Sequence, residues 1–175
     1  MTGSEYANLV ASYIVHNFGA RGLEVYREVF LGKTVIGKNR RIDILALHRP
    51  TSRALCIECK FQDKLGTVDE KIPYAIDDLR AMNMPVCLVY AGEGFSEGVL
   101  HMLAACPIAA SCRPEAALER TRETRELDVA VAMAFQWWDL VIEDKPAFVG
   151  SAAVGVAAGG GSDGGGGGGV AGGGG

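Results

Sequence analysis

The chain has 175 residues, of which 49% are hydrophobic and 22% charged, and a formal net charge of −4. That is enough apolar material for one soluble domain with a real core, and the mild acidity argues against a protein that coats nucleic acid nonspecifically. No cationic leader is present and no apolar run approaches the roughly twenty residues that span a bilayer, so a cytoplasmic, intracellular location is expected, nucleoid association included.

In chain order, Ser4 to about Phe18 reads as an amphipathic helix with Ser4 as its N-cap and Leu9, Val10, Tyr13 and Ile14 along one side. Leu23 to Val35 reads as a strand whose turn is marked by Gly32 or Gly37, followed by strands over Ile42–Leu47 and Ala54–Phe61 that form an antiparallel meander with it. Gly66-Thr-Val-Asp-Glu-Lys is then a turn and a capped helix start, with Thr67 or Asp69 as N-cap. The helix runs to about Met82 and buries Ile72, Ala75, Ile76 and Leu79.

The run Pro85–Ala91 is almost continuously apolar, as in a strand covered on both faces. A helix near Ser96–Ala105 and a short strand near Pro107–Ala110 follow, so the order is αβββαβ and then αβ. Glu119-Arg-Thr-Arg-Glu-Thr-Arg-Glu reads as a solvated helix with ion pairs, and Phe135 with Trp137 and Trp138 as a core-packing stripe. The domain is expected to span 1–149. From Gly150 the chain is almost only glycine and small apolar residues, which reads as a flexible tail over 150–175.

Two short strings stand out, Arg-Arg-Ile-Asp-Ile-Leu at 40–45 and Cys-Ile-Glu-Cys-Lys-Phe-Gln at 56–62. Side chains alternate across a strand, so Glu58, Lys60 and Gln62 share one face while Ile57, Cys59 and Phe61 share the other. Charge beside a core costs several kcal/mol, roughly, unless it is paired or holds a metal. The plain alternative is a Glu58–Lys60 ion pair on a solvated sheet face.

The five cysteines, at 56, 59, 87, 106 and 112, fit reduced thiols, and the Cys56–Cys59 pair lacks the further ligands of a zinc site. His16, His48 and His101 show no catalytic or metal spacing and read as surface or helix-face residues. Gly92-Glu-Gly-Phe lacks the remainder of a phosphate-binding loop.

Charge is distributed unevenly. Residues 21–71 carry eleven Lys/Arg and seven Asp/Glu, a net of plus four against minus eight elsewhere. Lys33, Lys38, Arg40 and Arg41 cluster beside the first hairpin, and Lys64 and Lys71 extend the track beyond the Glu-x-Lys strand. Such a cluster grips phosphates in a salt-sensitive way, although a basic hairpin also serves as edge-strand protection.

Asp43 after one strand, Glu58-Cys-Lys60 at the end of the next and the αβββαβ order together resemble the PD-(D/E)XK nuclease superfamily. The resemblance covers about Ser4 to Tyr90 and extends more weakly to Cys112. Ile42, rather than proline, precedes Asp43. It implies a restriction-endonuclease-like α/β fold with a central mixed sheet flanked by helices, and a Mg²⁺- or Mn²⁺-dependent deoxyribonuclease acting through a metal-activated water.

In that reading Asp43 and Glu58 are hard oxygen ligands joined by the Cys59 carbonyl, and Lys60 orients the water and stabilises charge. Gln62 continues the same face and would bond the water or a phosphate, or else stand as a solvent-exposed amide. Glu5 on the first helix is a further carboxylate for the metal shell as in resolvase-like members, or equally a first-turn acid favoured by the helix dipole. Glu28 is a weaker alternative, with a cross-strand ion pair as its default. DNA is the expected partner, and two-strand cleavage calls for a homodimer. A catalytically silent DNA-binding or scaffolding module with the same fold is the competing class; Asp, Glu and Lys occurring together favour the enzyme.

Overall fold

The computed structural model describes residues 1–64 and 68–150. Its helices are α1 (Gly3–Phe18), α2 (Ile72–Arg80), α3 (Glu97–Ala105), α4 (Arg125–Phe135) and α5 (Asp139–Ile142). Its strands are β1 (Leu23–Lys33), β2 (Asn39–His48), β3 (Arg53–Phe61), β4 (Val86–Ala91) and β5 (Ala109–Ser111). The compact unit is Met1–Glu143, and residues 144–150 contain no helix or strand. The expected Thr67 cap and the glycine-rich tail beyond Gly150 lie outside the described residues.

The sheet order is β1-β2-β3-β4-β5, with β1 to β3 an antiparallel meander and β4 and β5 added in parallel after α2 and α3. Parallel addition requires a crossover, and a helix supplies it each time. The α/β class and the αβββαβ order therefore stand as expected from the sequence.

Each face of the sheet has its own core. One joins Val10, Ile14 and Phe18 of α1 to Ile44, Leu55 and Ile57 of the sheet and to Leu127, Val131 and Phe135 of α4. The other joins Ile72, Ile76 and Leu79 of α2 to Ile42, Cys56 and Leu88, with Phe95 and Leu103 behind. The central strands are buried on both faces, which explains the unbroken apolar run of β4.

Several local expectations change. Thr2, not Ser4, caps α1: its hydroxyl accepts from Glu5 N–H at 3.2 Å while the Glu5 carboxylate accepts from Thr2 N–H at 2.7 Å. That reciprocal box satisfies two amides that a cap at Ser4 would leave open. Asp69 opens a 3₁₀ turn ahead of α2 rather than capping it.

The run 119–126 is not a helix throughout. It is an irregular segment and a 3₁₀ turn (Arg122–Thr124) leading into α4, because Asp128 and Thr124 are drawn inward to Tyr13. Tyr13 donates to Asp128 Oδ1 at 2.6 Å, and Arg120 pairs with Oδ2 at 3.0 Å, tying α4 to α1 across the core. His48 is buried rather than superficial, lying against the rings of Phe135 and Trp137 with its ring nitrogens on Thr51 Oγ1 and the Arg21 carbonyl. Phe135 belongs to the core and Trp137 packs against it, while Trp138 is half exposed.

Candidate active site

The site begins where β2 and β3 part. Their ladder runs from His48↔Arg53 to Ile44↔Ile57 and stops one position short of Asp43 opposite Glu58. Beyond that point the backbone N–H of Cys59 takes a side-chain acceptor, Asp43 Oδ2, at 2.8 Å. A carboxylate thus occupies the place of a strand carbonyl and keeps the amide satisfied inside the sheet. Ile44 and Ala46 face the α1 side whereas Ile42 packs on the α2 side, so the alternation of β2 changes phase across Asp43.

β1 shares this irregularity. In its register Glu28 falls opposite Asp43, and Glu28 has φ of +55°, a left-handed conformation that a side chain adopts at a cost. Next to it, Arg27 Nε donates to the Asp43 carbonyl at 2.7 Å, and its guanidinium also reaches Asn8 Oδ1 on α1. Asp43 is therefore held at both ends, by Arg27 on its carbonyl and by Cys59 N–H on its carboxylate.

On β3, Glu58 and Lys60 point to the α2 side as their spacing requires. Lys60 Nζ donates to Glu58 Oε1 at 2.6 Å, and both side chains are 21% exposed. Burial pushes the Glu58 carboxyl above its ordinary range; Lys60 opposes that shift and the charge of Asp43 adds to it. The pair opens into a cleft of about 330 Å³ whose walls include Arg40, Lys71, Tyr74 and Asp78. Asp43, half-buried in the fork, is not among the lining residues.

Three expected roles are corrected. Gln62 does not present a free amide: it is 4% exposed, Nε2 donates to Asp69 Oδ1 at 2.9 Å and to the Gly94 carbonyl at 2.6 Å, and Oε1 accepts from Val68 N–H. It clamps the loop after β3 to the loop after β4. Gly92, at φ +113°, makes the close approach possible, because a Cβ there would lie 2.1 Å from the Gln62 carbonyl oxygen. Gly92-Glu-Gly-Phe is part of this clamp.

Glu5 is exposed, with its carboxylate committed to the α1 cap, and it does not line the cleft. Arg40 is not a free phosphate contact. It pairs with Asp78 on α2 through Nε and Nη2 at 2.9 Å each, with both side chains 11% exposed.

The remaining cations stay on the surface. Lys33 donates to Asn39 Oδ1, Arg41 lies 3.5 Å from Glu28, Lys38 and Lys64 are exposed, and Lys71 reaches the cleft wall. The Glu28–Arg41 contact is the cross-strand ion pair that is the default for such a residue.

Two residues that sequence reading passed over position this site. Arg27 interrupts the inward-facing series Leu23, Val25, Arg27, Val29, and Asp78 falls within the buried stripe of α2. A charge at an inward-facing position was the available signal in each case.

The donor chemistry suits a small hard cation. Among the described residues no three His, Cys, Asp or Glu side chains converge, so side chains alone supply at most two ligands here. Burial holds the Cys59 thiol well above its usual titration range, so it is no thiolate ligand for a soft metal.

No curated protein matches the chain. Among solved structures, the protein of unknown function AF1548 aligns at 18% identity and TM-score 0.39, over 59% of this chain and 56% of that one. A repair endonuclease from Pyrococcus abyssi aligns at 16% identity and TM-score 0.35, over 58% of this chain and 44% of that one. The chain thus spans about half the length of these structures. A model of the PD-(D/E)XK nuclease superfamily domain matches residues 2–138, most of the compact unit and all five strands. This chain therefore belongs to the PD-(D/E)XK nuclease superfamily.

Proposed function

We propose that the chain is a Mg²⁺- or Mn²⁺-dependent deoxyribonuclease that hydrolyses phosphodiesters at the Asp43–Glu58–Lys60 fork. The observation that carries this reading is the fork itself. A carboxylate bridges parting strands beside a second carboxylate whose charge is disfavoured by burial and by its neighbour, an arrangement that a cation relieves. Asp43 and Glu58, with the Cys59 carbonyl, would hold the metal. When bound, a hard divalent cation polarises a phosphoryl oxygen and acidifies a water.

The residues of the chain then have distinct tasks. Arg27 and Cys59 N–H keep Asp43 from swinging out of the fork. Lys60 has three donors and spends one on Glu58, leaving the others to orient the attacking water and meet the charge that grows on the phosphoryl oxygens. Lys71, at the cleft wall, and Lys33, Lys38, Arg41 and Lys64 supply phosphate contacts. DNA as substrate, suggested by the superfamily, two copies for two-strand cleavage on grounds of symmetry, and an intracellular location are part of the proposal. Among the described residues no helix is long and apolar enough to cross a membrane.

Cleavage of supercoiled plasmid, linear duplex and a four-way junction with Mg²⁺ or Mn²⁺, compared with Lys60→Ala, tests the reading. Activity that disappears in the variant is the expected result. A folded, metal-binding parent that binds all three substrates without cutting them would instead make this a silent binding module.

A further inference from the structure

The β1–β2 hairpin carries a feature that hydrolysis does not use. At its tip Val35 and Ile36 are 54% and 60% exposed. They are the central residues of a turn closed by Gly37 N–H on the Thr34 carbonyl at 2.9 Å and Thr34 N–H on the Lys38 carbonyl at 2.8 Å. Turn centres favour glycine, asparagine and aspartate, so two β-branched side chains held out to solvent serve neither the turn nor the core.

The tip is fixed in place. Val35 N–H donates to Asp78 Oδ1 at 2.9 Å, and the same carboxylate is gripped by Arg40, so the Arg40–Asp78 pair pins the hairpin to α2. Thr34 and Asn39, at the base of the tip, line the cleft that holds Glu58 and Lys60. Lys33 and Lys38 flank the apolar pair along the chain, and Arg41, which lies 3.5 Å from Glu28, follows; no acidic residue occurs from Val29 to Ile42.

A rigid apolar point ringed by cations, beside a cleft for phosphodiesters, has the composition of side chains that enter a base step while lysine and arginine hold the neighbouring phosphates. A protein partner fits less well, because lysine is depleted in protein interfaces and two side chains make a small apolar core. We propose that Val35 and Ile36 are a wedge that enters and unstacks a base step of duplex DNA. Lys33, Lys38 and Arg41 hold the flanking phosphates, and the distorted strand is delivered toward Glu58 and Lys60. The inference rests on the nuclease reading for its substrate, but its test is separate.

The probe is a short duplex carrying 2-aminopurine, whose fluorescence rises when its base unstacks. It is titrated with the full chain in Ca²⁺, and plasmid cleavage in Mg²⁺ is measured in parallel. The parent is expected to bind with a fluorescence rise. Val35→Ser/Ile36→Ser is expected to keep the parent's melting temperature and salt dependence, lose the rise and bind about tenfold more weakly. Lys33→Ala/Lys38→Ala is expected to keep a rise at saturation while the slope of log K against log salt falls by about one per lysine.

A parent that binds no duplex, or a serine variant with an unchanged rise, overturns the wedge. So does a serine variant that leaves the rise intact and converts a parental dimer to monomer by light scattering, which would make the tip a protein contact. Cleavage without a fluorescence rise removes the wedge alone. A rise without cleavage removes the hydrolase reading and leaves a DNA-distorting binder.

Discussion

The two faces of the sheet are built from the same strands and serve different ends. On the α1/α4 face, β3 contributes Leu55, Ile57 and Cys59, and the polar groups that enter are tied off in a closed network, Tyr13 to Asp128 to Arg120. On the α2 face the same strand contributes Cys56, then Glu58 and Lys60, and its charged end opens into a cleft. The first face uses its charge to join helices. The second also has a structural pair, Arg40–Asp78, but its Glu58–Lys60 pair borders an open cleft. Charge near a core is thus diagnostic only once its partners are known.

Five variants sharpen or break that contrast. Asp128→Ala removes the carboxylate that Arg120 and Tyr13 share and should cost about 2–3 kcal/mol in denaturant unfolding, since Tyr13 keeps only Thr124 Oγ1 and Arg120 turns toward water, with residual cleavage where the domain stays folded. Glu58→Gln removes a carboxylate whose charge burial already disfavours and keeps an oxygen for Lys60, so it should change stability by less than about 1 kcal/mol; a larger loss there would mean that the α2-side pair is as structural as the α1-side network.

Asp43→Asn retains an oxygen for the Cys59 amide while removing the charge. It should keep the fold and reduce cleavage by at least about a hundredfold, with Mn²⁺ no longer raising the melting temperature. Unchanged cleavage would remove Asp43 from the chemistry.

The Arg40–Asp78 pin supplies a pH test. Hydrogen bonds from Arg40 hold the Asp78 carboxyl below its ordinary range, so its contribution is fully present above the unfolded pKa and is lost as pH falls through the depressed folded one. Asp78→Asn should cost about 2 kcal/mol at neutral pH, and the gap from the parent should narrow as pH drops below about 4. A constant gap across that range would refute the linkage. The smallest effect on cleavage is expected at Arg27, whose lysine replacement keeps charge but not the Nε bond to the Asp43 carbonyl. Cleavage should fall about tenfold with substrate binding unchanged.

Element order, sheet class and the Glu58–Lys60 face follow from local physics. Period-two alternation, apolar runs and glycine punctuation are properties of short segments, so they are readable without the fold. The Glu58–Lys60 pairing was legible for the same reason, since the two are two apart on one strand. The errors concern residues whose role depends on what the chain brings back to them from far away. Gln62 looked free until Gly94, thirty-two positions on, came to cover it, and Arg40 looked like a surface cation until Asp78 arrived from α2. His48 looked superficial until Phe135 and Trp137 folded over it.

Glu5 is the opposite case: its partner was three residues away, and the capping pattern Thr2-x-x-Glu5 was there to be read. By itself, then, the sequence determined which side chains share a strand face and which segments form strand or helix, because those depend on near neighbours. Only the tertiary structure decided which charges remain available at the cleft and which are already paired, because desolvation and hydrogen bonding are set by atoms that are neighbours in space and not along the chain.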